Sequence, residues 1–200
     1  MLDRLPFTTA PQDALRAKLL DALRAELDVR PWGEVTMADV ARAAGVSRQT
    51  LYREFGSRRE LGQACVLREA DRFLAGVEDA VRAHAGDPDD ALAAAFDAFL
   101  ALAEGNPLVV ALVSTSGSDE LLPFLTVEGG PVLEGAVARL GSVLRGTWPE
   151  LDPDDVVLLA ESVVRLSLSH LSTPAGPARM TGASVAALLG PFLRGRLHPA

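Results

Sequence analysis

The 200-residue chain has one cysteine, three histidines and an aromatic content of only 5%. Cys65 cannot close an internal disulfide by itself and reads as a small buried hydrophobe suited to a reducing cytosol. His84, His170 and His198 are widely spaced and offer no metal-ligand pattern, and no Gly-rich phosphate loop or nucleophile elbow accompanies them. Enzyme chemistry, a cofactor and a metal are therefore not expected. His84 falls at the end of a helix, where the dipole favours it, and packing accounts for His170. Long hydrophobic runs are missing too. The most apolar stretch, Val156 to Leu171, is interrupted by Glu161, Arg165 and His170 and is shorter than the roughly 20 apolar residues a bilayer demands. The opening MLDRLPFTTAP lacks the apolar centre of a signal peptide. These gaps lead to the expectation of a cytoplasmic protein with no membrane partner, long enough to bury a core without staples.

Strand-like alternation, internal repeats and low-complexity tracts are also missing, so the expected class is all-α. A first helix spans about Pro11 to Val29, with Leu15, Leu19, Ala22, Leu23 and Leu27 on one face, and Pro31 and Gly33 end that region. A longer helix runs from Ser57 to about His84, where Leu67, Ala70, Leu74, Val77 and Val81 recur near heptad spacing, and it can join two domains. Asp87, Pro88 and Asp89 start another helix, and Asn106 with Pro107 introduces a short apolar one from Leu108 to Val113. Between Ser114 and Pro131 the pattern weakens to a loop with two turns of helix. Helices resume from Val132 to Leu144, from Asp152 to Leu171, and through Val185, Leu188, Leu189, Phe192 and Leu193, where Pro191 is placed to kink the last one.

Between Val35 and Leu61 the sequence VTMADVARAAGVSRQTLYREFGSRREL reads as a helix-turn-helix. Met37, Val40, Ala41 and Ala44 fall at i, i+3, i+4 and i+7, and Gly45 stops that helix. Thr36 with Asp39, Ser47, and Ser57 with Glu60 supply three successive start signals. At 100° per residue, Arg48, Gln49, Tyr52 and Arg53 share one arc of the second helix, while Leu51 and Phe55 face the core. Arginine can pair with guanine O6 and N7, glutamine with adenine, and Thr50 with a thymine methyl or a phosphate. Thr36, Ser47 and Arg58 are placed to hold phosphates around that helix.

The charge distribution fits this division. The net charge is −8, yet residues 1–60 carry +1 and residues 61–200 carry −9. From position 42 to 59, five arginines face only Glu54, a local excess of +4. Screening confines each charge to about 8 Å at physiological salt, so the local sign governs phosphate binding. Glu54 stands against it, and can either accept from cytosine N4 or hold Arg58.

These residues resemble the TetR family of transcriptional regulators, whose pattern stands here as TMADVARAAGVSRQTLYREFGSRREL within about Leu19 to Leu67. The resemblance implies an N-terminal three-helix DNA-binding head, residues 1–58, and a C-terminal helical ligand-binding and dimerisation domain, residues 59–200. By position it makes Thr36, Ser47, Tyr52 and Arg58 phosphate or backbone contacts and puts Arg48, Gln49, Thr50 and Arg53 where base readout varies. Arg58 replaces the common lysine and keeps its charge. Glu54 occupies an often aromatic or histidine position and departs from the pattern.

The expected function is a ligand-responsive repressor that binds a pseudo-palindromic double-stranded DNA operator as a homodimer. Its two C-terminal helices would meet their copies in a four-helix bundle, because a helix apolar almost all round needs cover on several sides; burial within one chain is the alternative. Phe73, Phe96, Phe99, Leu100, Leu112, Phe124, Leu133 and Val137 are candidate pocket residues for a small hydrophobic effector, although ordinary core packing is the simpler account of any one of them. The STSGS segment either lines a pocket mouth or is a plain loop. The rival readings are a helical architectural DNA-binding protein, disfavoured by the acidic total, and a protein-interaction module without ligand control.

Overall fold

Helix starts and stops follow the caps written in the sequence. The computed structural model describes residues 9–113, 121–124, 126–172 and 180–198. The STSGS segment and all of STPAGP but Ser172 lie outside the described residues, so the expectations attached to them do too. Among the described residues there are helices and turns and no strand. The chain divides into two compact units with the boundary between Cys65 and Val66.

In the first unit, α1 (Thr9–Leu27) is followed by a 3-10 turn (Trp32–Glu34), α2 (Met37–Ala43), α3 (Arg48–Phe55) and the first turns of α4 (Arg58–Ala83). Helix α1 packs on α2 and α2 on α3. Leu19, Leu23, Trp32, Val40, Ala41, Leu51 and Phe55 form the buried centre, as their helical spacing dictates. Gly45 makes the tight turn with φ +65°, a left-handed conformation that costs glycine little, and its neighbour's amide returns to the Ala41 carbonyl at 2.9 Å. The boundary falls inside α4, where Leu61, Ala64 and Cys65 are buried.

In the second unit the rest of α4 is joined by α5 (Pro88–Ala103), α6 (Pro107–Val113), a 3-10 turn (Leu122–Phe124), α7 (Gly130–Thr147), α8 (Pro153–Ser172) and α9 (Gly182–Leu197). Asp87 accepts the Asp89 and Asp90 amides at 2.9 and 3.2 Å with Pro88 at the first helical position, and Thr181 accepts the Ser184 amide at 3.2 Å. Helix α5 lies along α9 and α7 along α8. The α5/α9 approach is close: a Cβ on Gly182 would meet the Ala93 carbonyl oxygen at 2.2 Å, and the Gly182 amide donates to Asp97 Oδ1 at 2.8 Å. Helix α9 runs through Pro191. Within α4 the buried stripe is Val66, Glu69, Phe73, Val77 and Val81, whereas Leu67 is exposed and Ala70 and Leu74 half-buried. The expected stripe was thus one position out of register in its first turns, since a core-facing glutamate interrupts the apolar pattern.

Candidate nucleic-acid interface

Helix α3 is held at its start by Ser47, whose hydroxyl accepts the Thr50 amide at 3.0 Å and lies 2.9 Å from the Thr50 hydroxyl. Such a cap contributes about 1 kcal/mol and fixes where the helix begins. From that start, Leu51 and Phe55 turn inward while Arg48, Gln49, Tyr52 and Arg53 turn outward, Tyr52 with 42% of its surface exposed. The side chains of these four engage no partner among the described residues. Two arginines, an amide and a phenol are thereby presented on one helical arc.

Helix α2 begins with a complete capping box. Thr36 Oγ1 accepts the Asp39 amide at 3.3 Å, the Thr36 amide donates to Asp39 Oδ2 at 3.1 Å, and the Thr36 hydroxyl donates to the same oxygen at 2.6 Å. These bonds from Thr36, with Arg30 at 3.5 Å and Arg42 at 2.7 Å, hold the Asp39 carboxyl at about 2. A depressed carboxyl stabilises the fold above its ordinary value of 3.8, and that contribution is lost as the pH falls toward 2. Asp39→Asn should therefore flatten the acid limb of stability between about pH 4 and 2, read from thermal melts across that range. The Ser57 box is only half formed: Ser57 Oγ accepts the Glu60 amide at 3.1 Å and donates to Glu60 Oε2 at 3.0 Å, but the Ser57 amide goes to the Phe55 carbonyl.

Two charged residues of this region, Glu54 and Arg58, engage other parts of the first unit. Glu54 turns back to α1, where Arg16 approaches at 3.3 Å and Gln12 at 3.5 Å, and does not hold Arg58. Arg16 also lies over the Phe55 ring at 4.5 Å, so the acid neutralises a packing arginine and leaves the outer arc of α3 basic. Arg58 folds over Trp32 at 4.1 Å and donates to the carbonyls of Val35 at 3.1 Å and Trp32 at 2.5 Å. Its guanidinium therefore braces the segment that leads into the Thr36 cap. A long side chain with an apolar stem and five donors suits that half-buried place.

Residues 19–65 match the model for bacterial regulatory proteins of the tetR family, and residues 87–191 match the model for the C-terminal domain of the bacterial tetracyclin repressor. The chain belongs to the TetR family. Among its relatives, the HTH-type transcriptional regulator AlkX of Mycobacterium tuberculosis H37Rv is 38% identical over 189 residues, 94% of this chain and 90% of that protein. The crystal structure of the TetR family repressor AlkX from Dietzia sp. strain DQ12-45-1b, implicated in biodegradation of n-alkanes, superposes with a TM-score of 0.81 at 33% identity, covering 92% of this chain and 97% of that one. A TetR-family regulator of Streptomyces coelicolor shares the fold, with a TM-score of 0.58 at 17% identity, 98% of this chain and 99% of that one being covered. As a TetR-family member, this chain is a DNA-binding transcriptional regulator rather than an enzyme. Among the described residues, no helix is long and apolar enough to cross a membrane.

The second unit of this TetR-family protein contains a cavity between α4, α5, α6, α7 and α8. Its empty volume, open solvent at the mouth included, is about 690 Å³. Of the candidate pocket residues, Phe73, Phe99 and Leu112 line it. Phe96, Leu100, Phe124, Leu133 and Val137 do not. Phe96 and Phe124 are fully buried, with Phe96 set against Phe99 and the edge of His170, and the other three are partly buried. The walls are otherwise small or aliphatic, among them Ala70, Val77, Leu108, Val132, Ala136 and Val163, with Glu69 and Ser167 the polar residues.

Proposed function

We propose that the protein is a repressor that binds a pseudo-palindromic operator as a homodimer and releases it when a small apolar effector enters the cavity. The observation that carries the DNA reading is the partner-free outward row Arg48, Gln49, Tyr52 and Arg53 on a helix fixed at both faces, by the Ser47 cap and by buried Leu51. Arg48, Gln49, Thr50 and Arg53 meet base edges in the major groove, and Tyr52, Ser47 and Thr36 meet backbone. Thr36 must then share its hydroxyl with Asp39. Arg58 serves as a positioning residue, holding the approach to α2 through Trp32 and Val35.

The dimer reading rests on apolar side chains left uncovered on the last two helices: Val157 and Leu158 on α8 and Leu188 on α9, the last 62% exposed. A two-fold contact would cover them. The apolar cavity supports the effector, whose preference for one conformation of the dimer would weaken DNA binding by a coupling of about 1–3 kcal/mol, the usual size of allosteric effects. Repression itself is carried over from the AlkX repressor of Dietzia, to which the chain is similar.

Sedimentation and gel shifts test this together. The wild type should sediment as a dimer at micromolar concentration and retard the duplex upstream of its own coding sequence. Leu188→Arg should sediment as a monomer and lose at least about tenfold in operator affinity, since each half-site then binds alone. A wild-type monomer, or a dimer that ignores that DNA and every duplex in a random library, contradicts the proposal.

A further inference from the structure

We propose that Arg16 of α1 is a further contact to the DNA backbone, a guanidinium held by Glu54 and Phe55 at the flank of α3, where it donates to a phosphate. This rests on the reading that α3 enters the major groove. At 100° per residue Glu54 falls one step round the helix from Arg53, on the flank of the reading arc. A helix with its side chains is about 10–12 Å across and the major groove about 12 Å wide, so the flanks of a helix seated there meet the phosphate walls. A bare carboxylate on that flank would repel them. Instead the Glu54 side chain is only 9% exposed and turned to α1, with Arg16 Nη1 donating to its Oε1 at 3.3 Å and Gln12 Nε2 to its Oε2 at 3.5 Å. The charge that solvent meets at this point is therefore the Arg16 guanidinium, whose side chain is 44% exposed.

Arg16 is fixed in place with most of its donors open. Its guanidinium lies over the Phe55 ring at 4.5 Å, and the bond to Glu54 sets its direction. It engages no further hydrogen-bond partner among the described residues, so most of its five N–H groups are open to a ligand. Both residues that hold it belong to α3, and Phe55 is buried in the centre of the first unit, so the cation is tied to the reading helix. An arginine already held in one geometry gives up less rotamer freedom on binding than a free one. A phosphodiester oxygen suits it: one negative charge that accepts charge-assisted bonds whatever the base sequence. Glu54 thus acts as a positioning residue, and its carboxylate is covered on the face that would meet the phosphates.

Fluorescence anisotropy of the full-length protein on its selected operator and on random duplex, between about 50 and 200 mM salt, tests the assignment. Arg16→Gln should bind both DNAs about tenfold more weakly, the two losses agreeing within about threefold, because a phosphate contact carries no sequence information. The slope of log affinity against log salt should fall by about one to two units, one contact being lost in each head of a dimer. Arg16→Lys keeps the charge and should keep the wild-type slope within about half a unit. The double variant Arg16→Gln, Glu54→Gln leaves no acid without its cation and should stay as weak as Arg16→Gln within about threefold. A slope unchanged in folded Arg16→Gln, a loss confined to the operator, or Arg16→Lys no better than Arg16→Gln overturns the assignment and leaves the reading of α3 standing. So does recovery of wild-type affinity in the double variant, which would mean that Arg16 only masks an acid. Wild-type protein that binds neither DNA overturns both. Should Arg16→Gln not fold, the double variant and Arg16→Lys decide between them, the first losing slope and the second keeping it.

Discussion

Arg48→Ala should leave the protein folded and weaken operator binding by about 2–6 kcal/mol. Arg48 opens α3 just after the Ser47 cap, is exposed, and engages no side-chain partner among the described residues. Removing it therefore breaks nothing inside the head. A bidentate arginine on guanine contributes about 1–3 kcal/mol of discrimination, and a two-fold dimer loses it in both half-sites. The thermal midpoint should stay within a degree or two of wild type while gel-shift affinity falls by one to four orders of magnitude. The loss should be sequence-dependent: affinity for random duplex, set by phosphate neutralisation, should change far less. A uniform loss on all sequences would reassign Arg48 to the phosphate backbone.

Leu51→Ala, three residues along the same helix, should do the opposite. Leu51 has 0% exposure and packs where α3 closes the first unit. Truncating a fully buried leucine removes transfer energy and leaves a void, at a cost of about 2–5 kcal/mol. A unit this small has little stability to spare. We expect its thermal midpoint to fall by ten degrees or more, with operator binding lost at temperatures where the wild type still binds and restored on cooling. Destabilisation under about 1 kcal/mol would mean that α3 is not anchored through this face. The contrast between the two variants separates reading from holding within eight residues.

Local features were legible from the sequence because local chemistry sets them. The Thr36 and Ser47 caps and the Gly45 turn each satisfy backbone groups within a few residues. Long-range pairings were not legible. Glu54 meets Arg16 across 38 positions, and Arg58 reaches Trp32 across 26, so no spacing rule could bring either pair together. Glu69 was concealed by its own polarity: treating it as surface moved the expected stripe on α4 to Leu67 and Ala70, although the series 66, 69, 73, 77, 81 carries the true helical period. The cavity was only partly legible, for a different reason. Hydrophobicity identifies which side chains are buried, but whether Phe99 borders a void and Phe96 does not depends on how five helices pack.

On this reading the outward arc of α3 meets the major groove in two copies, one per half-site. Methylation interference on an operator selected from a random duplex library tests it most directly, because methylating guanine N7 blocks the atom an arginine would contact. Interference should fall at guanines in two symmetry-related blocks, about one helical turn or a multiple of it apart, with the signal at one guanine per block lost in Arg48→Ala. Binding indifferent to N7 methylation, or confined to a single block, would contradict it.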